Sequence, residues 1–132
     1  MMVYSALLLA TLVVGAPYWL VRMATSGRYR AGLRGRLGRV AAGLRAAVAG
    51  LDVVWVHAVS VGEVLAATRL VAELKAALGD GWVVAVSTTT ATGQRLATER
   101  LPESPVFYLP LDFRFAVRQY LRVLRPKMLV LM

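Results

Sequence analysis

The sequence contains no cysteine and only one histidine in 132 residues. The lack of cysteine excludes a disulfide scaffold, a thiolate metal site and cysteine catalysis, and a single histidine excludes a multi-histidine metal site. Charged residues are also scarce, at 17% of the chain, whereas 58% of the residues are hydrophobic. Soluble domains are typically about 25% charged. The composition therefore excludes a disordered chain and indicates deeply buried or membrane-associated segments.

Residues 1–21 lack any charged side chain. A helix of this length spans roughly 30 Å, which is enough to cross the hydrocarbon core of a bilayer. We predict a membrane anchor at 1–21, which either crosses the bilayer or lies in its interface because Gly15 and Pro17 interrupt it. Positive charge follows this segment rather than preceding it, which is typical of an uncleaved anchor with the rest of the chain on the cytoplasmic side.

Acidic residues are absent between residues 22 and 45, where seven arginines account for +7 of the net charge of +9. Apolar residues recur there at helical intervals: Leu33, Leu37, Val40, Leu44, Val48 and Leu51. We predict a basic amphipathic helix over 22–50 that binds anionic lipid. The arginines proposed for this contact are Arg28, Arg30, Arg34, Arg36 and Arg39. The alternative is a helix that packs on the next domain with its arginines in solvent. Aromatic residues are not interleaved with the charge beyond Tyr29, so we expect no nucleic-acid partner.

From residue 51 onward, short β-branched runs alternate with helical patterns. Strands are predicted at Val53–His57, Trp82–Ser87, Val106–Leu109 and Met128–Met132. One helix is predicted between each pair of strands, the second over Thr92–Leu101 and the third capped by Asp112. This alternation predicts a Rossmann-like α/β domain with a parallel sheet and helices on both faces. Neither a Gly-x-Gly-x-x-Gly nor a Walker loop occurs, so nucleotide binding by this part has no sequence support.

Polar residues follow the first predicted strand. Ser60 and Glu63 have the spacing of a helix capping box, which is a purely structural role. Alternatively, a carboxylate in the first turn of a helix is held ionised and can accept a proton from a hydroxyl group, and Gly62 would let a substrate approach the backbone. His57, at the end of the same strand, is either a core histidine or a catalytic residue.

Hydroxyl groups cluster after the second predicted strand. A hydroxyl-rich turn at a helix N-terminus suits a phosphate or a sugar, and the alternative is a β-branched strand end followed by a helix cap. The residues concerned are Thr88, Thr89, Thr90, Thr92 and Gly93. Further along, four arginines fall on one helical face that we expect to be solvated: Arg114, Arg118, Arg122 and Arg125. The sequence Arg125-Pro126-Lys127 predicts a turn.

Taken in order, these motifs resemble one known family. His57-Ala-Val-Ser-Val-Gly-Glu63, Ser87-Thr-Thr-Thr-Ala-Thr-Gly93, Tyr108-Leu-Pro-Leu-Asp112 and Arg125-Pro-Lys127 are similar to motifs of 3-deoxy-D-manno-octulosonic acid (Kdo) transferases. The upstream Arg34–Arg39 stretch and the N-terminal segment are similar to that family as well. The resemblance covers nearly the whole chain.

The resemblance implies an inverting GT-B glycosyltransferase at the cytoplasmic face of the bacterial inner membrane. It would transfer Kdo from CMP-Kdo to the lipid A precursor, with Glu63 as the general base and with no metal or other cofactor. Residues 51–132 would be the acceptor-side domain, and contacts with the acceptor are expected from Ser60, Gly62 and the Thr88–Gly93 turn. The donor-binding domain lies outside these residues, so we expect the chain alone to be inactive. Two alternatives remain: another membrane-associated GT-B enzyme acting on a lipid-linked acceptor, and a non-catalytic membrane-anchored adaptor.

Overall fold

A computed structural model of the chain describes residues 14–18, 21 and 32–132. Residues 14–18 and 21 are helical, and most of the predicted anchor, together with Arg28 and Arg30, lies outside the described residues. Within the described part, no helix has both the length and the apolar character needed to cross a bilayer. The anchor at 1–21 therefore stays a prediction.

Residues 32–132 form one compact unit with five helices and four strands. In chain order these are α1 Leu33–Arg36, α2 Ala42–Val48, β1 Asp52–Ala58, α3 Val61–Leu78, β2 Trp82–Thr88, α4 Ala91–Arg100, β3 Val106–Tyr108, α5 Arg114–Leu124 and β4 Pro126–Leu131. The four predicted strands and the three helices between them are thereby confirmed, with shifts of at most two residues at their ends.

The four strands form a parallel sheet in the order β3-β2-β1-β4. The central strand β1 pairs with β2 through Val54 and Val84, and with β4 through Val56 and Val130. Its valines are at most 1% exposed, because helices cover both faces of the sheet. The Rossmann-like architecture predicted from the alternating pattern is the one observed.

Each face of the sheet has its own apolar core. Helices α3 and α4 cover one face, where Val64 and Ala97 pack against the even-numbered valines of β1. Helices α2 and α5 cover the other face, where Leu44 and Leu124 pack against Trp55. The sheet thus separates two layers of helices, and the alternation of side chains along β1 assigns each residue to one layer.

The amphipathic helix predicted within the basic segment 22–50 is not a single helix in its described part. Two short helices, α1 and α2, are separated at residues 37–41, where Gly38 has φ +97° and a Cβ at this position would lie 2.8 Å from the Ala116 Cα. Val40 and Leu44 are buried against the sheet, whereas Leu33 remains exposed. The alternative, packing on the next domain, therefore holds for the apolar residues of α2.

The start of α5 also differs from the prediction. Phe113, not Asp112, is the N-cap residue, and no side chain caps the helix. The helix ends at Arg125, whose left-handed φ of 43° makes the predicted turn, and Pro126 already begins β4. A proline fits the first position of a strand because its missing N–H is then not needed by the ladder. The four arginines of this region are exposed, as predicted.

Burial of Tyr120 on α5 predicts a loss of stability in alkali. Its ring stacks on Phe107 with centroids 5.2 Å apart, and burial raises the pKa of the phenol above its ordinary value of 10.0. The unfolded state therefore loses this proton first, so the free energy of unfolding should fall as the pH rises beyond about 10. Urea titrations at pH 8 and pH 11 measure this fall. It should be smaller in Tyr120→Phe, and an equal fall in both proteins would contradict the assignment.

Candidate functional site

The order of the strands creates a switch point between β1 and β4. From β1 the chain moves through β2 to β3 in one direction and then crosses to β4 on the other side of β1. In open parallel sheets, ligands bind beyond the carboxyl ends of the strands at such a point, because the loops there diverge and leave a crevice. The loop after β1, residues 59–60, leads directly into α3 at this place.

Glu63 occupies the first turn of α3, the helix that begins next to this switch point. One carboxylate oxygen, Oε2, accepts the backbone N–H of Val59 at 2.6 Å, and Oε1 accepts the Ser60 hydroxyl at 3.4 Å. Ser60 is the N-cap, but its side chain does not cap a backbone N–H. The capping box is thus realised in altered form: Glu63 folds back over the loop as predicted, to the amide of residue 59 instead of residue 60.

The surroundings of Glu63 leave room for a ligand. Ser60 and Gly62 are exposed, and a Cβ at Gly62 would meet no atom within 4 Å. Glu63 itself is half-buried. The loop of Val59 and Ser60 therefore orients the carboxylate, and the backbone at Gly62 borders open space.

The threonine-rich turn divides into structural and accessible residues. Thr88 is fully buried and its hydroxyl donates to Gln94 Oε1 at 2.7 Å, so the structure does not present it to a ligand. Thr90 caps α4 by accepting the Gly93 N–H at 3.0 Å. Thr92 is exposed and Thr89 is half-buried. The strand-end and helix-cap interpretation thus holds for Thr88 and Thr90, although Thr90, like Thr89 and Thr92, still reaches solvent.

This turn adjoins the loop, residues 59–60, that precedes α3 and Glu63. A Cβ at Gly93 would lie 3.6 Å from the Val59 carbonyl oxygen and 2.9 Å from Thr90 Oγ1. The two loops therefore pack closely at the carboxyl edge of the sheet, and a side chain at position 93 would separate them.

Arg36 ties α1 to the same edge, which the sequence did not indicate. Its guanidinium donates to the Thr89 carbonyl oxygen and lies 4.5 Å from the ring centroid of Tyr108. The Leu111 N–H in turn donates to the Arg36 carbonyl oxygen at 2.8 Å, and Gly32 is so close to Tyr108 that a Cβ would lie 2.1 Å from its ring. Arg36 is thus a link within the protein, whereas Arg34 and Arg39, the other described members of the predicted lipid-binding group, are exposed.

Removing this link should loosen the threonine-rich turn. We expect Arg36→Ala to increase amide hydrogen exchange at residues 89–92 by about five- to tenfold, because one hydrogen bond and one cation–π contact of about 0.5–1.5 kcal/mol in total are lost. Hydrogen exchange followed by mass spectrometry measures the effect. Arg34→Ala, on the same short helix but exposed, is the matched control. Equal exchange in both variants would contradict the link.

His57 is the penultimate residue of β1, on the face of Trp55, and its Nδ1 lies 2.9 Å from the Ser87 hydroxyl oxygen. It is half-buried and has a buried polar partner, as a core histidine would have. The described residues bring together no group of three or more aspartate, glutamate or histidine side chains that could hold a metal ion.

The fold and the site define a Rossmann-like α/β domain with a carboxylate at its switch point. Residues 31–132 match the family described as 3-deoxy-D-manno-octulosonic-acid transferase (kdotransferase), and the chain belongs to this family of glycosyltransferases. It is 34% identical over 80 residues to the 3-deoxy-D-manno-octulosonic acid transferase of Haemophilus influenzae, an alignment that covers 60% of this chain and 18% of that protein. The chain thus matches less than a fifth of the length of its curated relative. No solved structure matches it.

Proposed function

We propose that this chain is the acceptor-side part of an inverting GT-B glycosyltransferase that moves Kdo from CMP-Kdo to the lipid A precursor. Family membership supports the transferred sugar. The observation that carries the proposal is the position of Glu63, which lies at the switch point with its carboxylate turned over the loop and open space beside Gly62.

In the proposed reaction Glu63 is the general base. An acceptor hydroxyl next to the carboxylate transfers its proton to Glu63 while the hydroxyl oxygen attacks the anomeric carbon of Kdo. The bond between that carbon and the CMP oxygen breaks, and CMP leaves with the electron pair. Attack from the side opposite to CMP inverts the anomeric centre. The Val59 N–H and the Ser60 hydroxyl orient the carboxylate for this proton transfer.

Contacts with the acceptor sugar are proposed for the accessible groups around Glu63. Ser60 lies on the loop before it and Gly62 in the first turn of α3, and Thr89 and Thr92 flank the adjoining turn. Thr88, Thr90 and Gly93 would act indirectly, by fixing that turn. CMP-Kdo would bind on a second domain, the donor domain of the proposed GT-B enzyme.

We also propose a location at the cytoplasmic face of the bacterial inner membrane, with the anchor at 1–21. The uncharged segment 1–21 and the arginine-rich stretch after it support this location. Arg34 and Arg39 are exposed and available to anionic headgroups, in line with the lipid contacts proposed for them and for Arg28 and Arg30.

A donor comparison tests the proposal. An enzyme that contains this chain and a donor domain should transfer from CMP-Kdo to a lipid A precursor and not from nucleoside-diphosphate sugars, and the chain 1–132 alone should show no transfer. Transfer from a nucleoside-diphosphate sugar only would favour the alternative GT-B enzyme. Failure with every donor, with retained binding to anionic vesicles, would favour the adaptor. Transfer by residues 1–132 alone would refute the need for a second domain.

A further inference from the structure

A chain of hydrogen bonds leads from the core to the carboxyl end of β1. Trp55 Nε1 donates to Ser87 Oγ at 2.7 Å, and His57 Nδ1 lies 2.9 Å from the same oxygen and 3.2 Å from the Ser87 carbonyl oxygen. Trp55 and Ser87 are buried, at 4% and 0% exposure. The imidazole ring is therefore fixed on one edge by buried groups.

The donors and acceptors in this chain determine where the histidine carries its proton. An indole N–H can only donate, so the Ser87 oxygen accepts from Trp55 and its own hydrogen is left to donate to His57 Nδ1. A nitrogen that accepts a hydrogen bond carries no proton, which places the proton of the neutral ring on Nε2. In the other tautomer, Nδ1 carries the proton and donates it to the Ser87 carbonyl oxygen, at 3.2 Å instead of 2.9 Å. The buried hydroxyl hydrogen of Ser87 would then have no acceptor, which costs free energy.

Nε2 is the other ring nitrogen of His57, which is the penultimate residue of β1, and the loop that leads to Glu63 begins two residues further on. In the sheet His57 stands between Ser87 of β2 and Leu131 of β4, at the switch point between β1 and β4. Among the described residues nothing forms a hydrogen bond with Nε2, and the atom is not sealed from solvent. The Nε2–H group, which has no partner among the described residues, thus lies at the end of the strand that leads through residues 59–60 to Glu63.

We propose that His57 donates a hydrogen bond from Nε2 to an oxygen of the acceptor bound in front of Glu63, and that Ser87 and Trp55 are positioning residues that hold the required tautomer. The inference rests on the proposed function and adds to it a binding residue for the acceptor. A neutral donor suits a hydroxyl or phosphate oxygen, and it leaves the role of the base to Glu63.

The single histidine makes the tautomer directly measurable. In the chain labelled with ¹⁵N-histidine, a long-range ¹H–¹⁵N correlation spectrum at pH 8 gives signals from His57 alone. We expect a protonated Nε2 and an unprotonated Nδ1. Ser87→Ala should shift the proton to Nδ1, because only the carbonyl acceptor remains. Ser104→Ala, which removes another buried hydroxyl that has no partner in the described structure, is the control and should leave the spectrum unchanged. A wild-type proton on Nδ1 overturns the proposal.

Two substitutions test the donor itself. The amide nitrogen of His57→Gln can reach the position of Nε2, whereas that of His57→Asn reaches only the position of Nδ1. Binding of a detergent-dispersed, acylated and phosphorylated glucosamine disaccharide is measured by isothermal titration calorimetry. We expect about five- to tenfold weaker binding for His57→Asn and a change of at most about twofold for His57→Gln, as befits the loss of one hydrogen bond. Circular dichroism verifies that each variant is folded.

The outcomes separate this inference from the function on which it rests. Equal loss in the Asn and Gln variants indicates a packing role and overturns the proposal, and so does unchanged binding in His57→Asn. In both cases the proposed function survives, because the wild-type chain still binds the acceptor. A wild-type chain that does not bind the disaccharide overturns the proposed acceptor and this inference together.

Discussion

Glu63→Gln, made in an enzyme that joins this chain to its donor domain, is expected to lower kcat for Kdo transfer by about 10²–10⁴-fold, the usual contribution of general acid–base catalysis. The amide cannot take the proton of the acceptor hydroxyl. Its carbonyl oxygen can still accept the Val59 N–H that the carboxylate accepts at 2.6 Å, so the loop should keep its shape. KM for the acceptor should therefore change little. Initial rates at varied acceptor concentration separate the two constants.

Glu73→Gln is the matched control for this experiment. Glu73 lies on the same helix, α3, but its carboxylate is exposed and pairs with Arg69 at 2.8 Å. Exposed pairs of this kind contribute less than about 1 kcal/mol to stability, so turnover should stay near the wild-type value. If the two variants turned over equally fast, Glu63 would be left with its structural role at the start of α3 and the proposed base would lie elsewhere.

Leu124→Ala is expected to give the largest loss of stability, about 2–5 kcal/mol in the free energy of unfolding. Leu124 is 1% exposed at the C-terminal end of α5 and belongs to the core that includes Trp55 and Leu44. Truncation to alanine removes apolar contact and leaves a cavity between α5, α2 and the sheet. Urea unfolding followed by tryptophan fluorescence measures the change.

Leu121, one turn earlier on the same helix, supplies the control. Its side chain is 45% exposed, so Leu121→Ala should alter the free energy of unfolding by no more than about 0.5 kcal/mol. The pair has identical chemistry and differs in burial alone. A loss of similar size in both variants would mean that α5 does not pack on the sheet through the residues seen here.

The sheet was predictable because its signals are local. Runs such as Val53–Val56 are β-branched and apolar throughout, which is typical of a strand covered on both faces, and glycine or proline ends the helices on either side. The break between α1 and α2 was not predictable from periodicity. It depends on the close approach of Gly38 to Ala116 on α5, a contact between residues far apart in the sequence. The start of α5 differs by one residue: Phe113 is the N-cap, and the cap that the Asp112 side chain offers is not used.

The residues of the candidate site can be divided in the same way, into those that local spacing predicts and those that depend on contacts between distant residues. Glu63 and the Thr90 cap are found by short-range spacing, since both involve contacts within four residues. The alternation of side chains along β2 is also informative. Thr88 lies on the same face of the strand as the buried residues Val84 and Val86, which accounts for the burial of Thr88. Arg36 could not be recognised in advance, because its partner Thr89 is 53 residues away and its many neighbouring arginines look alike in the sequence.

The outer side of β4 has a consequence for handling the protein. In the described residues β4 pairs with β1 only, and Met128, Leu129 and Leu131 are 53–69% exposed. Unpaired backbone groups next to apolar side chains form a template on which a second chain can add a strand. Lys127, at 60% exposure, is the one charged residue of this strand, and it lies at its beginning, where it pairs with Asp52. We therefore expect self-association to limit the concentration that residues 1–132 can reach in solution. Leu129→Lys is the substitution that should reduce this self-association.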